Sequence, residues 1–166
     1  MKIQIDNLEF NSDYFYIQTD SIVEKISFNN RTLYSKYRKN YTPLNPTLLK
    51  QHQDNELTLA LPLIENNCVN YLVIEYFQED WRSFYALIKN LFKTLNIEEY
   101  SVYQNSEKTL LQIFILTPNT ALEVAYKSVE EIKHHLKLKS KNSYKLYPNK
   151  NLPKNYNIIT FPYQKI

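Results

Sequence analysis

Val69-Asn70-Tyr71-Leu72-Val73-Ile74-Glu75-Tyr76-Phe77 is a nearly unbroken apolar run, and a short run of this kind reads as a central strand. The period changes directly after it. Trp81, Phe84, Tyr85, Ile88, Leu91, Phe92 and Leu95 recur at helical spacing, the stripe of an amphipathic helix, with Asp80 placed to be its N-cap. Residues 100–103 and 110–116 then read as a hairpin around Asn105-Ser106-Glu107. A second helix is predicted from about 118 to 136 on the stripe Ala121, Leu122, Ala125, Val129, Ile132 and Leu136, with Thr120 and Glu123 at capping-box spacing. Residues 137–142 read as a polar linker, and residues 157–162 as the closing strand.

This order, β-α-β-β-α-β, predicts an α+β fold: a ferredoxin-like or RRM-like antiparallel sheet with both helices on one face and the other face free for a ligand or partner. Upstream, residues 57–64 form an apolar stretch between Asn55 and Asn66-Asn67 and read as a further strand. Residues 2–5, 14–19 and 22–28 are β-like, and Asn29-Asn30 punctuates them. Asn45-Pro46 opens a short helix over 47–52, with Asn45 as N-cap and Pro46 at the first helical position. The expectation is one domain over 1–166, with residues 1–56 as a β-rich N-terminal extension and 57–166 as the RRM-like core.

Composition removes several function classes. Among 166 residues there is no glycine, which excludes phosphate-binding loops whose backbone only glycine supplies cheaply. Turns must use asparagine, aspartate and proline instead. The single cysteine, Cys68, excludes an internal disulfide and a multi-cysteine zinc site. No apolar run approaches the roughly 18 residues of a membrane-spanning helix. The opening Met1-Lys2-Ile3-Gln4-Ile5-Asp6 alternates like a strand, not like a secretory leader, so a cytoplasmic location with no membrane partner is expected. The net charge of +3 conceals an asymmetry. Residues 1–126 carry 11 Lys/Arg against 15 Asp/Glu, and residues 127–166 carry 9 Lys against 2 Glu. A basic C-terminal quarter suits a polyanion, although a solvated lysine face produces the same count.

The candidate chemistry is sparse. Glu75, Glu79 and Asp80 are the carboxylates near the end of the central strand, and paired carboxylates can hold divalent metal for phosphoryl transfer. Strand alternation puts Tyr71, Val73, Glu75 and Phe77 on one face, which leaves Glu75 without an acidic neighbour two residues on. His134 and His135 are adjacent on a helix and point about 100° apart, so they cannot share a metal. His52 is isolated, and Cys68 reads as a packing residue. Tyrosines alternate with lysine and arginine over 31–41 and 139–165. Such rings can stack on bases while the cations neutralise phosphates; the plainer reading is tyrosines packed with wet hydroxyls.

Four ordered blocks resemble the archaeo-eukaryotic primase (primase-polymerase) superfamily, in the form of the primase domain of TOTE conflict systems. They are Tyr41-Thr42-Pro43-Leu44 with Leu48-Leu49-Lys50-Gln51-His52; Leu59-Ala60-Leu61-Pro62-Leu63-Ile64 with Cys68, Leu72-Val73-Ile74-Glu75-Tyr76-Phe77 and Asp80-Trp81; Phe114-Ile115-Leu116-Thr117-Pro118 with Ala121; and Tyr147-Pro148-Asn149, Leu152-Pro153 and Asn157-Ile158-Ile159 with Pro162 and Gln164. The resemblance also marks departures. Where the family carries two aspartates on its central strand this chain has Glu75 and Phe77. The family's nucleotide-binding histidine falls on Leu111, and its third acidic position on Lys145. Neither phenylalanine nor lysine can hold Mg²⁺, so the resemblance implies a degenerate active site with no catalytic residues, no metal and no cofactor.

The free face is expected to carry Val73, Glu75, Phe77, Leu111, Ile113 and Ile115. The function expected is a catalytically inactive primase-like domain that binds nucleic acid, DNA more than RNA, or serves as an accessory subunit in replication, repair or defence. Arg31, Lys36, Arg38, Lys39, Lys145, Lys150 and Lys154 are the expected phosphate contacts, and Tyr37, Tyr147 and Tyr156 the stacking rings. The expected protein partners are a helicase, a nuclease or a catalytic primase subunit. The alternatives are a protein-interaction module without nucleic acid, and a residual metal-dependent nucleotidyltransferase using Glu75, Glu79 and Asp80.

Overall fold

The computed structural model describes residues 2–140 and 143–166. In chain order the elements are β1 (Lys2–Ile5), β2 (Leu8–Asn11), β3 (Phe15–Gln18), β4 (Glu24–Phe28), β5 (Arg31–Ser35), β6 (Tyr37–Asn40), α1 (Pro46–Gln53), β7 (Leu59–Pro62), β8 (Cys68–Tyr76), α2 (Trp81–Thr94), β9 (Tyr100–Gln104), β10 (Leu111–Ala121), α3 (Leu122–Lys139), β11 (Tyr144–Tyr147), β12 (Ile158–Thr160) and β13 (Gln164–Lys165). The fold is mixed α and β with antiparallel pairing throughout its sheets.

The main sheet runs β11-β8-β10-β9-β13. Its heart is β8, the apolar run, paired to β10 on one side and β11 on the other. Helices α2 and α3 cover one face. Tyr76 stacks flat on Phe84 of α2 with centroids 3.9 Å apart, and Phe92 meets Tyr100 edge-on at 4.8 Å. Ile88 and Leu91 from α2, and Ala125 and Leu136 from α3, are wholly buried beneath them; each large apolar side chain so enclosed is worth about 1.5–3 kcal/mol.

A second sheet, β12-β7-β3-β6, and two hairpins, β1-β2 and β4-β5, complete the described structure. Here the closing strand departs from expectation. The sixth element of the β-α-β-β-α-β segment is β11, not residues 157–162; Ile158–Thr160 pairs with β7 in the second sheet. Since β7 also pairs with β3, the second sheet draws strands from both sides of residue 57. The predicted linker is largely the end of α3, which continues to Lys139; Lys141 and Asn142 lie outside the described residues.

The non-helical face of the main sheet is not free. Phe10 of β2 packs on Tyr71 at 5.2 Å and Phe114 at 6.2 Å, and the Glu9 N–H donates to the Tyr71 hydroxyl at 2.8 Å. Gln112, fully buried, donates from Nε2 to the carbonyls of Thr160 and Phe161 and accepts from the Tyr163 N–H. Register also corrects the face's membership. Leu111, Ile113 and Ile115 sit opposite Tyr76, Ile74 and Leu72. Directly paired residues share a face, so those three side chains point toward the helices. Gln112 and Phe114 take the other side, beside Glu75 and Val73.

Local chemistry explains most boundaries. Asn45 caps α1, its Oδ1 accepting from the Leu48 N–H at 2.9 Å, with Pro46 as first helical residue. Asp80 occupies the cap position of α2, but its Oδ1 accepts from the Tyr76 hydroxyl rather than from the helix. The expected capping box at α3 does not form: β10 runs on through a register shift to Ala121, and the Thr120 hydroxyl donates to the Thr117 carbonyl. In the absence of glycine, asparagine takes seven of the nine left-handed positions among the described residues, with Asp6 and Lys108 at the other two. Asn29 (φ 49°) and Asn30 (φ 61°) join β4 to β5, and Asn66 (φ 50°) and Asn67 (φ 56°) close the Glu65–Cys68 bridge. Two consecutive positive φ values match the twist of a two-residue hairpin, and asparagine tolerates them better than other side chains.

Candidate functional site

The covering of the sheet stops at one edge, and a cleft of about 550 Å³ opens there. Three structural pieces form most of it, with Gln18, Ile22 and Leu152 completing the lining. The ends of β8 and β11 supply Glu75, Phe77, Lys145 and Tyr147; β5 and β6 supply Tyr34, Ser35 and Tyr37, with Lys36 between them; β12 and the turn before it supply Tyr156, Ile158 and Thr160. Strand pairing places Lys145 directly opposite Glu75 and Tyr147 opposite Val73, which sets a lysine beside a glutamate on the face that looks into the cleft.

Glu75 is the deepest polar group, 3% exposed. Burial raises its carboxyl above the usual range, opposed by hydrogen bonding from Thr160 and by the charge of Lys145. Its Oε2 accepts from the Thr160 N–H at 3.4 Å. Lys145 itself is exposed and lies over the Phe77 ring, 5.2 Å from the centroid, a distance at which a cation is attracted to the ring face. Phe77 is 45% exposed. Tyr37 is half-buried and its hydroxyl is pushed up to about 12 by burial, with the negative charge of Glu75 adding to it. Tyr147 is raised for the same reasons. These phenols stay neutral, and can donate hydrogen bonds, across physiological pH.

The cleft thus gathers seven of the residues singled out in the sequence: Lys36, Tyr37, Glu75, Phe77, Lys145, Tyr147 and Tyr156. The rest lie elsewhere. Arg31, at the start of β5, donates to the Asn151 carbonyl at 2.8 Å. Arg38 and Lys39 are exposed on β6, Lys39 over the ring of Tyr14 at 4.6 Å. Lys150 pairs with Glu130 of α3 at 3.7 Å, and Lys154 bonds to the Asn67 side chain at 2.6 Å. Leu111 is buried beneath the helices. Asp80 bonds to Tyr76, whose side chain leaves β8 on the face opposite to Glu75. Among the described residues no three His, Cys, Asp or Glu side chains converge as a metal-holding group, and no helix is long and apolar enough to cross a membrane.

Two residues outside the expected site set contribute to the cleft. Thr160 is the residue that hydrogen-bonds Glu75, and Tyr34 is a 55% exposed ring on the rim. Tyr34 was legible in the basic, tyrosine-rich stretch; nothing in the sequence pairs Thr160 with Glu75. His52, isolated in sequence, is a buried junction. Its Nδ1 accepts from the Leu59 N–H at 3.1 Å, its Nε2 meets the Phe161 carbonyl at 2.9 Å, and its ring stacks on Tyr163 at 4.1 Å.

No curated protein matches the chain. Residues 1–70 match a protein family described as a domain of unknown function, DUF1882, a stretch that carries Lys36 and Tyr37 of the cleft and ends as β8 begins.

Proposed function

We propose that this chain is a non-catalytic, cytoplasmic primase-like domain of ferredoxin-like or RRM-like topology that binds single-stranded nucleic acid along the cleft. One observation carries the reading: cations and rings separated by more than 100 residues in sequence, Lys36 and Tyr37 on one side and Lys145 and Tyr147 on the other, line a single groove. The division of labour follows from exposure. Lys36 and Lys145 neutralise phosphates, while Tyr34, Tyr37 and Phe77 offer ring faces to bases. Tyr147, 9% exposed, is floor rather than platform. The order β11-β8-β10-β9 supports the topology. Among the described residues Glu75 is the one carboxylate that lines the cleft, whereas two-metal chemistry needs several hard oxygen ligands.

Fluorescence anisotropy with a labelled single-stranded oligonucleotide at two salt concentrations tests this. Binding should weaken as salt rises, and Lys145→Ala should reduce the salt slope by about one. An affinity that ignores salt, or a Lys145→Ala slope equal to that of the wild type, overturns the proposal.

A second reading rests on Ile22 and Val23, 54% and 47% exposed just before β4. Apolar side chains grouped on a surface mark protein contacts, and Ile22 and Tyr34 also line the cleft. A helicase, nuclease or catalytic primase subunit that co-purifies after nuclease treatment, and is lost in Ile22→Ser/Val23→Ser, would favour the accessory role over direct nucleic-acid binding.

A further inference from the structure

Glu75 is a costly residue to keep buried in a largely apolar strand. A carboxylate offers about four lone-pair sites, and the described hydrogen bonds to it come from one residue, Thr160, with the backbone bond long at 3.4 Å. Neighbouring Gln112 cannot help, because its amide is already engaged with the backbone of Thr160, Phe161 and Tyr163. A buried carboxylate short of donors is destabilising unless something supplies them. Tyr156, on the same cleft, has a buried hydroxyl with no hydrogen-bond partner among the described residues. The cleft therefore contains an acceptor with spare capacity and an unused donor, walled by aromatic rings.

We propose that the cleft reads a guanine base, whose adjacent N1–H and N2–H groups donate to the Glu75 carboxylate while a ring acceptor takes the Tyr156 hydroxyl proton. The pattern discriminates. Two parallel N–H donors on one edge match a carboxylate; adenine, thymine and cytosine do not present that pair on their Watson–Crick edges. Lys145, opposite Glu75 in the strand pairing and over the Phe77 ring, is placed to meet the attached phosphate while the ring stacks the base. This inference rests on the nucleic-acid reading above and adds base identity to it.

The test uses the full chain and three labelled 12-mers: all thymidine, the same with one central guanine, and the same with that guanine replaced by inosine, which lacks the N2 amino group. A bidentate base contact is worth about tenfold in affinity. Wild type should bind the guanine strand about tenfold tighter than the thymidine strand, with inosine losing most of that gain. In Glu75→Gln the guanine-to-thymidine ratio should fall toward one, because an amide presents a donor where the base also donates. Tyr156→Phe, a milder change, should lower the same ratio and keeps the test valid if Glu75→Gln fails to fold. Lys145→Ala should weaken all three strands together and preserve the ratio. Equal affinity for all three strands with a normal salt slope overturns the guanine assignment and leaves phosphate binding standing. If no strand binds, guanosine monophosphate decides the pocket: thermal stabilisation by it and not by adenosine monophosphate supports the assignment, and no stabilisation overturns it.

Discussion

His52 should make the fold sensitive to mild acid, and the size of the effect follows from its surroundings. The ring is inaccessible to solvent and lies between α1, β7 and the segment after β12. Because Nδ1 accepts from the Leu59 N–H, the proton of the neutral ring sits on Nε2 and is donated to the Phe161 carbonyl. A second proton would have to enter at Nδ1, against that N–H. Burial lowers the ring's pKa from 6.5 to about 4, against weaker opposition from the Phe161 and Leu57 backbone. The unfolded chain therefore binds a proton that the folded chain refuses between those two values. Stability is full above about 6.5 and is lost as pH falls toward 4. Integrating the difference gives a loss of about 2 kcal/mol by pH 5 and about 3 kcal/mol by pH 4, a large share of a typical 5–15 kcal/mol. Carboxylates titrate in the same range, so the readout is a difference. Urea unfolding of wild type and His52→Gln should be compared at pH 7.5 and pH 5; glutamine can keep both hydrogen bonds and has no proton to gain. The advantage of wild type over the variant should shrink by about 2 kcal/mol, roughly 1 M in urea midpoint for a slope of about 2 kcal/mol/M. A gap that is the same at both pH values would refute the reasoning.

Glu75 should act with the opposite sign. Its folded carboxyl is raised, so the folded state holds a proton the unfolded chain has given up, and stability declines as pH climbs through the ordinary carboxyl range to the raised value. Thermal melts of Glu75→Gln against wild type should diverge in favour of the variant from pH 4 to pH 8; parallel curves would show that the carboxyl is not desolvated. Phe84→Ala removes the ring stacked on Tyr76 at 3.9 Å and should cost about 3–5 kcal/mol in chemical denaturation. Asn30→Ala leaves φ near 61° to a residue without a local hydrogen-bonding side chain and should cost about 1 kcal/mol; an unchanged midpoint would mean that the β4-β5 hairpin does not hold its turn cooperatively with the fold.

The strongest periodic signals in the sequence were sound. The stripe from Trp81 to Leu95 is α2, the pair around Asn105 is the β9-β10 hairpin, and Asn45-Pro46 starts α1. The errors share a cause. An apolar run is easier to see than a half-polar edge strand, so residues 157–162 stand out in the sequence as a closing strand ahead of Tyr144–Tyr147, whose edge position leaves Lys145 exposed. Proline and threonine after Leu116 looked like a helix start, yet a register shift lets β10 continue past them. Alternation placed Glu75 and Val73 on one face correctly because the count began and ended within β8. Leu111, Ile113 and Ile115 were misplaced because face membership across strands depends on register, which no single segment encodes. The site was half legible: basic, tyrosine-rich stretches flagged the cleft's residue types, but their meeting depends on the second sheet folding over the first.

A chain that turns on asparagine and never on glycine carries an advantage that no contact in the folded structure displays. Each of its left-handed turns is held by a residue whose backbone has fewer conformations to recover on melting than glycine would have. The entropy released on unfolding is smaller by that amount at every turn, a gain set against the steric cost of a Cβ at positive φ, which asparagine's local hydrogen bonding reduces.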